Sequence, residues 1–528
     1  MNNSNLFKYI FAVVVIILIG YTIYVIAQNK TEISDQSLDQ TSTLTNIQTE
    51  LRLAIADMDT INPLLSNNRN VLEVTKIIFD PLVTLNANYK TEYCLAEEIA
   101  RTDDITYLVK LKKGILWQDG SSFDAYDVKF TIDLLKDSVN SIYSENLRNV
   151  QGVSVVDDST LTISLFEPVS FFEYNLTFPI MPSKYYEGED FFNSAKIPIG
   201  TGMFKISEIS SNMIKLVPNE LYWNVSRKPM ATEININLYD SIGDVYSAFK
   251  NGEIDLVTVK TNNIEEYVGT LGYNKIEYKS RNYDFLAFNC ANEKLADPVV
   301  RKAIGMMIDK NHIINSCLGS GYTFSNFSLD MGNWLYTKDL NVETNTEFAM
   351  QILRENGWNQ TRGGWQKNDN GNYRRIDFSL TVNSNNHARV AVAENIKAQL
   401  SNLGVQVTIK YLSPEAYADA INNRNYECIL TGLQLGYSPN LNTFFANGNL
   451  ANYYNDEVNE IMNIVSNTSD DGLLHEKYSR LYDIYLEEVP YIGLYRDTDI
   501  IIYNQSLVGN ITPNSFNIYH NIEKWYRQ

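Results

Sequence analysis

Apolar positions recur along the chain in two distinct periods. From 376 to 382 they alternate: Ile376, Phe378, Leu380 and Val382 are separated by Asp377, Ser379 and Thr381. Period two predicts a strand with one buried face, because successive side chains point to opposite sides. Val392, Ile396, Leu400 and Leu403 follow at helical spacing, and Gly404 stands where a helix ends on a left-handed residue. Val405, Val407 and Ile409 then alternate again. Strand, helix and strand within about 35 residues predict a right-handed βαβ unit. A second unit is expected from Ile234, Ile236 and Leu238, through a helix bearing Val245 and Phe249 and ended by Gly252, to a strand at 254–257. Residues 297–309 predict a helix capped by Asp297, with Pro298 at its first position and Val300, Ile304, Met307 and Ile308 on a core face. Residues 105–117 predict an antiparallel strand carrying Tyr107, Val109 and Leu111, followed by an Asp119-Gly120 turn. The fold class expected is α/β, and large proteins of that kind hold ligands in a crevice between lobes.

One run departs from both periods. Residues 9–27 are apolar throughout and carry no charge. About 20 such residues span a bilayer as a helix. Lys8 and the free amine are the positive charges on the short side, which puts residues 1–8 in the cytoplasm and the rest outside. Val25-Ile26-Ala27 also resembles a signal-peptidase site, but the run exceeds a usual secretory core, which favours an uncleaved signal anchor. No Cys follows the run, so a lipid attachment site is absent. Residues 28–48 are rich in Ser, Thr, Gln, Asn and Asp and read as a flexible tether.

Composition narrows the function. The 528 residues are 44% hydrophobic and 20% charged, an ordinary globular balance with room for three to four domains. With 43 basic and 63 acidic residues the net charge is −20, which argues against nucleic acid as a partner, since phosphate contacts need clustered Lys and Arg. The 35 Tyr suit stacking and hydrogen bonding to a ligand, and equally reflect AT-rich codon usage. The four Cys, at 94, 290, 317 and 428, form no C-x-x-C pair. The four His, at 312, 387, 475 and 520, do not cluster in sequence, so neither metal nor other cofactor is expected. There is no P-loop, H-E-x-x-H or G-x-S-x-G elbow. Gly319-Ser320-Gly321 is a short loop, and the paired acids Asp103-Asp104 and Asp157-Asp158 read as solvated turns. No enzymatic turnover is expected.

Five stretches in register carry more than class-level information. The first is Phe79-Asp80-Pro81-Leu82-Val83. The second runs from Leu95-Ala96-Glu97 through Asp103, the strand from Tyr107 to Leu111, Lys113-Gly114, Trp117, Asp119-Gly120 and Ala125 to Asp127-Val128. The others are Pro198-Ile199-Gly200-Thr201-Gly202, Gly252-Glu253-Ile254-Asp255, and Phe288-Asn289 followed by Asp297 to Ile304 and Ile308-Asp309. Together they resemble the extracellular solute-binding proteins of family 5, the oligopeptide- and dipeptide-binding components of ABC importers.

The resemblance implies a two-lobed periplasmic-binding-protein-like fold of cluster C type with an extra subdomain. Lobe I is then expected from 49–80, 185–283 and 495–528, the extra subdomain from 81–184 and lobe II from 284–494. Hinge residues are expected at Arg281, Asn282 and Tyr283, with Leu494 and Tyr495 on the returning crossing. Closure around a solute and docking on an ABC permease are implied, with the chain held at the cell membrane through residues 9–27 and its binding domain outside the cell.

The chain also departs from the family. Peptide binders often carry G-W-x-x-D-Y-x-x-P, whose Asp pairs with a peptide's free amine. Here the stretch is Gly432-Leu433-Gln434-Leu435-Gly436-Tyr437-Ser438-Pro439, with Leu433 for the Trp, Gly436 for the Asp and one residue deleted. The Arg that some members use for a peptide carboxylate aligns with Leu430. An unpaired ammonium in a dry cleft is costly, so weaker dependence on a free amino terminus is expected unless Asp456 or Glu457 compensates. Ligand residues are expected in three loops: Asn67, Asn68, Arg69 and Asn70; Asn383, Asn385 and Asn386; and Gly436, Tyr437, Ser438 and Pro439. The function expected is capture of a peptide or related small solute. The alternatives are a metal chelate or sugar on the same scaffold, or a sensing ectodomain that has lost transport.

Overall fold

Two sheets and two long strands set the architecture. The computed structural model describes residues 49–138, 140–260, 264–270, 272–329, 332–369 and 371–528. The expected tail, membrane span and tether lie outside these residues. Among the described residues no helix is long and apolar enough to cross a membrane.

The first sheet has four strands in the order Glu50–Ala56, Glu233–Tyr239, Met213–Pro218 and Phe204–Ile209. The first two are parallel, with Leu51 opposite Ile234 and Leu53 opposite Ile236. Leu51, Leu53, Ile55, Ile234 and Ile236 are buried, as period two requires. The second sheet has seven strands and contains the expected βαβ unit. Asp377–Asn383 and Gln406–Leu412 run parallel, Phe378 opposite Val407, and the helix His387–Asn402 joins them. Val392, Ile396 and Leu400 are its buried face, and Gly404 takes φ +85° after it.

The second expected unit is corrected. The helix Ile242–Asn251 forms and Gly252 ends it at φ +76°, but its flanking strands belong to different sheets. Glu233–Tyr239 lies in the first sheet, whereas Leu256–Val259 pairs antiparallel with the strand Tyr491–Asn504 in the second. The cause sits at Asp255. Its N–H donates to the Arg52 carbonyl at 2.8 Å, and its carboxylate holds the Arg52 backbone N–H and guanidinium at 2.7 Å each. The chain is pinned at the edge of the first sheet before it can re-enter it.

The strand Thr106–Leu111 sits in a separate antiparallel sheet with Ala96–Arg101, Thr160–Leu165 and Val150–Asp157, packed under the helix Ala125–Asp137. A reciprocal capping box of Asp124 and Asp127 starts that helix. Asp127 also accepts from the Trp117 indole at 2.9 Å and the Ser183 hydroxyl at 2.7 Å, so the Trp and Asp of the family-like stretch are structural. Asp103, Asp104 and Asp158 are exposed in bends and turns, and Asp157 is the exposed last residue of the strand Val150–Asp157. The helix Pro298–Met307 starts as expected at Asp297, and all four cysteines are free thiols.

The strands Tyr273–Phe288 and Tyr491–Asn504 are 16 and 14 residues long and pair antiparallel. Their register breaks between Lys279 and Tyr283 and again between Asp284 and Phe285. One half of Tyr273–Phe288 pairs only with Tyr491–Asn504; the other half also pairs with Cys428–Gln434. Tyr283 lies opposite Arg496, and Asp284 opposite Tyr495.

Candidate functional site

A cavity of about 470 Å³ opens beside the register break. That volume lies within the range of small-molecule sites. Its walls come from the helix Arg69–Thr75 and the turn after it, residues 142–146 and 177–179, the crossing residues 280–282, Tyr437, and the segment 515–522.

Asn68 builds the first wall. Its Oδ1 accepts from the Asn70 N–H at 2.9 Å, capping the helix, and its amide donates to the carbonyls of Ala56 and Asp57 at 2.7 and 2.8 Å. Asn67 is exposed, and its N–H is held by Asp59 at 2.7 Å. Of the loop's four expected ligand residues, Arg69 alone lines the cavity.

Arg69 pairs with Asp499 at 2.8 Å, and Lys260 pairs with the same carboxylate. Burial opposes the Arg69 charge, but the Asp499 carboxylate outweighs it and raises its pKa. Asp497 lies two residues away on the same strand face and takes Lys260 at 3.6 Å, the Asn282 amide at 3.2 Å and the Ser280 hydroxyl. Two cations and two acids thus meet where the long strands cross.

Tyr437 closes one side. Its ring stands edge-on to Phe516 at 5.0 Å and near-parallel to Tyr89 at 6.3 Å, and its hydroxyl donates to the Ser515 carbonyl. Arg281 lies against both tyrosine faces, 5.4 Å from the Tyr89 centroid and 5.1 Å from that of Tyr437. Its Nε donates to the Leu435 carbonyl at 3.3 Å and an Nη to that of Gly436.

At the other end, Asp80 is 8% exposed and accepts from Thr201 at 3.0 Å and the Trp223 indole at 2.9 Å. Burial pushes its carboxyl up despite those donors, and pushes the neighbouring Cys94 thiol up further. Gly200 and Gly202 let the backbone pass tightly: a Cβ on either would fall 2.6 Å or less from Ile78 backbone atoms. The Phe79-Asp80 and Gly200-Thr201-Gly202 stretches are therefore one wall. Arg227 and Glu523 pair beside them at 2.9 Å. Burial works against Glu523, but that guanidinium holds it below the usual range.

The remaining expected ligand residues fall in two places. Asn386 caps the helix His387–Asn402, and Asn383 ends the strand Asp377–Asn383; these two and Asn385 line neither this cavity nor a second one of about 180 Å³ behind the loop 434–440. Gly436 and Ser438 line the second cavity, while the Pro439 carbonyl accepts from Tyr478 at 2.7 Å. Asp456 and Glu457 line neither: Asp456 takes the Tyr454 hydroxyl at 2.7 Å and Glu457 pairs with Arg480 at 2.6 Å. Sequence reading missed Lys76, Lys260, Asp499 and Phe516, which line the cavity, and Tyr89, which stacks on Tyr437. The signal available was Asp497 and Asp499, two acids at period two between the apolar runs Tyr491–Tyr495 and Ile500–Tyr503 of one strand.

The family model for bacterial extracellular solute-binding proteins, family 5 Middle, matches residues 90–455. The oligopeptide-binding protein AppA of Bacillus subtilis is 25% identical over 502 residues, covering 90% of each chain. The ABC transporter substrate-binding protein CtaP of Listeria monocytogenes superposes with a TM-score of 0.68 at 22% identity, covering 90% of this chain and 99% of its own. NikZ of Campylobacter jejuni, in complex with Ni(L-His), gives 0.59 at 24%, covering 91% and 100%.

Proposed function

The chain belongs to the bacterial extracellular solute-binding proteins of family 5, and on that premise we propose that it is the substrate-binding component of an ABC importer, capturing peptides or a related small solute. The observation that carries this is the 470 Å³ cavity beside the crossing strands, walled by residues far apart in sequence. Segments 49–80, 185–283 and 495–528 form lobe I, 284–494 form lobe II, and 81–184 form an extra subdomain. Arg281, Asn282, Tyr283, Leu494 and Tyr495 act as the hinge, because a strand pair whose register breaks can bend there without losing its flanking ladders. Closure holds the solute by contact, and no bond in it is made or broken. Residues 9–27 tether the chain to the membrane, where the closed form delivers its solute to the permease.

Gly436 favours a second reading, a solute without a free amine such as a metal chelate. Where a peptide-binding relative would hold its ammonium partner, this chain presents a carbonyl already bound by Arg281. A chelate brings its own ligands. Among the described residues no group of His, Cys, Asp or Glu is placed to hold a bare ion.

Native mass spectrometry of the full-length chain purified from its own cells tests both readings. The expected result is a non-covalent adduct that sequences as a short peptide, or a chelate mass with a metal isotope pattern. A chain that never carries or takes up a small solute contradicts them.

A further inference from the structure

The second cavity, of about 180 Å³, shares Arg281 and Gln434 with the first, so the two are neighbouring compartments divided by those side chains. Its polar lining is Arg281, Ser328, Gln434, Ser438, Asn440 and Thr443, and among the described residues no acid lines it. In a chain of net charge −20 that composition is unusual.

The hydrogen-bond directions in it are one-sided. The Ser438 hydroxyl accepts from the Asn440 N–H at 3.3 Å, and the Asn440 side-chain Oδ1 accepts from the Asn442 N–H at 2.7 Å. The Leu435 and Gly436 carbonyls are taken by the Arg281 guanidinium. Acceptors are thus spent on the turn itself, while the Ser438 hydroxyl proton and the Asn440 amide protons remain as donors. Ser328 adds the sharpest sign. It is 4% exposed, it lines the compartment, and its hydroxyl has no partner among the described residues, although its own carbonyl is fixed by Arg496 at 2.6 Å. A buried hydroxyl left unsatisfied is costly, and a ligand atom that engages it recovers that cost.

We propose that this compartment is a subsite for a carboxylate of the bound solute, received by the Ser328 and Thr443 hydroxyls, the Asn440 amide and the Arg281 guanidinium. The proposal rests on the peptide reading above. It inverts the polarity of the missing acid: the loop that lacks Asp at 436 is anchored to a cation, and the solute's anionic end is the one this chain reads. The carboxylate comes from a peptide's carboxyl terminus or from an acidic side chain.

The full-length chain, freed of solute by exhaustive dialysis, is offered three tripeptide libraries in competition and read by native mass spectrometry. One lacks acidic side chains and has free carboxyl termini, the second is the same set as C-terminal amides, and the third is amides with one glutamate. The free acids, the glutamate amides or both outcompete the plain amides by about tenfold, equivalent to about 1.4 kcal/mol, and the winner identifies the source. Ser328→Ala and Thr443→Val each cut that advantage to about threefold or less while the ligand-free melting temperature holds, because Ser328 loses a buried hydroxyl with no partner among the described residues and Thr443 an exposed one, and neither change leaves another group unsatisfied. Equal retention of all three libraries overturns the subsite and leaves peptide binding standing. An advantage undiminished in both variants overturns its location. Retention of none overturns the peptide reading and the subsite with it.

Discussion

The guanidinium carbon of Arg281 lies 5.1 Å from the centre of the Tyr437 ring and 5.4 Å from that of Tyr89. The three residues come from a crossing strand, the loop after Cys428–Gln434, and a turn within 81–184. Their stack is where these parts of the molecule touch over the cavity. Such a cation on aromatic faces contributes about 0.5–2 kcal/mol. Tyr437→Ala, which removes a face and a wall, is expected to weaken solute binding by about tenfold or more. Tyr437→Phe keeps the ring and loses only the bond to the Ser515 carbonyl, so its binding stays within about fivefold. Calorimetric titration of both variants with the natural solute checks this.

Gly432 carries an ion pair on its α-carbon. Asp284 pairs with Arg389, whose Nε lies 2.9 Å from Oδ1, and a Cβ on residue 432 would fall 1.9 Å from that same oxygen and 2.2 Å from an Arg389 Nη. Burial pushes the Asp284 carboxyl up against the pull of Arg389, so the pair is already poorly hydrated. Gly432→Ala must displace it, and a loss of about 2–4 kcal/mol is expected by chemical denaturation. A change under about 0.5 kcal/mol would contradict the geometry.

Arg301 is the second internal tie. At 1% exposure it donates to the carbonyls of Leu295 at 2.9 Å, Ala296 at 2.7 Å and Glu488 at 2.9 Å, joining the helix Pro298–Met307 to the end of Asp471–Glu488. Arg301→Met keeps the bulk and strands those carbonyls. The expected cost is about 3 kcal/mol, read as a lower denaturation midpoint at unchanged slope.

Lys310 supplies a pH signature. It is 7% exposed, and among the described residues its ammonium donates to the side-chain amide oxygens of Asn326 at 3.0 Å and Asn341 at 3.5 Å. Burial lowers its pKa from 10.5 to about 8, against a weak pull from Asp339. Below about 8 the folded chain carries the full cost of a buried ammonium. Between about 8 and 10.5 the unfolded chain holds a proton that the folded chain has released, so stability from this group rises with pH. Lys310→Met removes the cost and leaves Asn326 less satisfied. The variant is expected to be more stable than the parent by about 2 kcal/mol at pH 7, with the advantage vanishing towards pH 10. An advantage that stays constant from pH 7 to 10 contradicts the assignment.

What the sequence disclosed follows from locality. The strand at Asp377–Asn383, its helix and its return were legible because period, cap and Gly404 all lie within one short stretch. The unit after Glu233–Tyr239 looked identical by those signs and was misread, since the decisive contact joins Asp255 to Arg52, some 200 residues earlier. The cavity has the same character. Arg69 and Tyr437 were named from loops, but Lys260, Asp499 and Phe516 meet them only through long-range pairing. The residues that resembled the family most hold backbone in place: Asp80 and the glycines at 200 and 202 at the cavity wall, and Trp117 with Asp127 at the start of the helix Ala125–Asp137.

Small-angle scattering of the full-length chain, freed of solute and then saturated with the solute it co-purifies with, tests the central claim most directly. Bending at the broken register of Tyr273–Phe288 and Tyr491–Asn504 around a filled cavity predicts a smaller radius of gyration on saturation, reversed by dialysis. Saturation with no change in radius would contradict capture by closure.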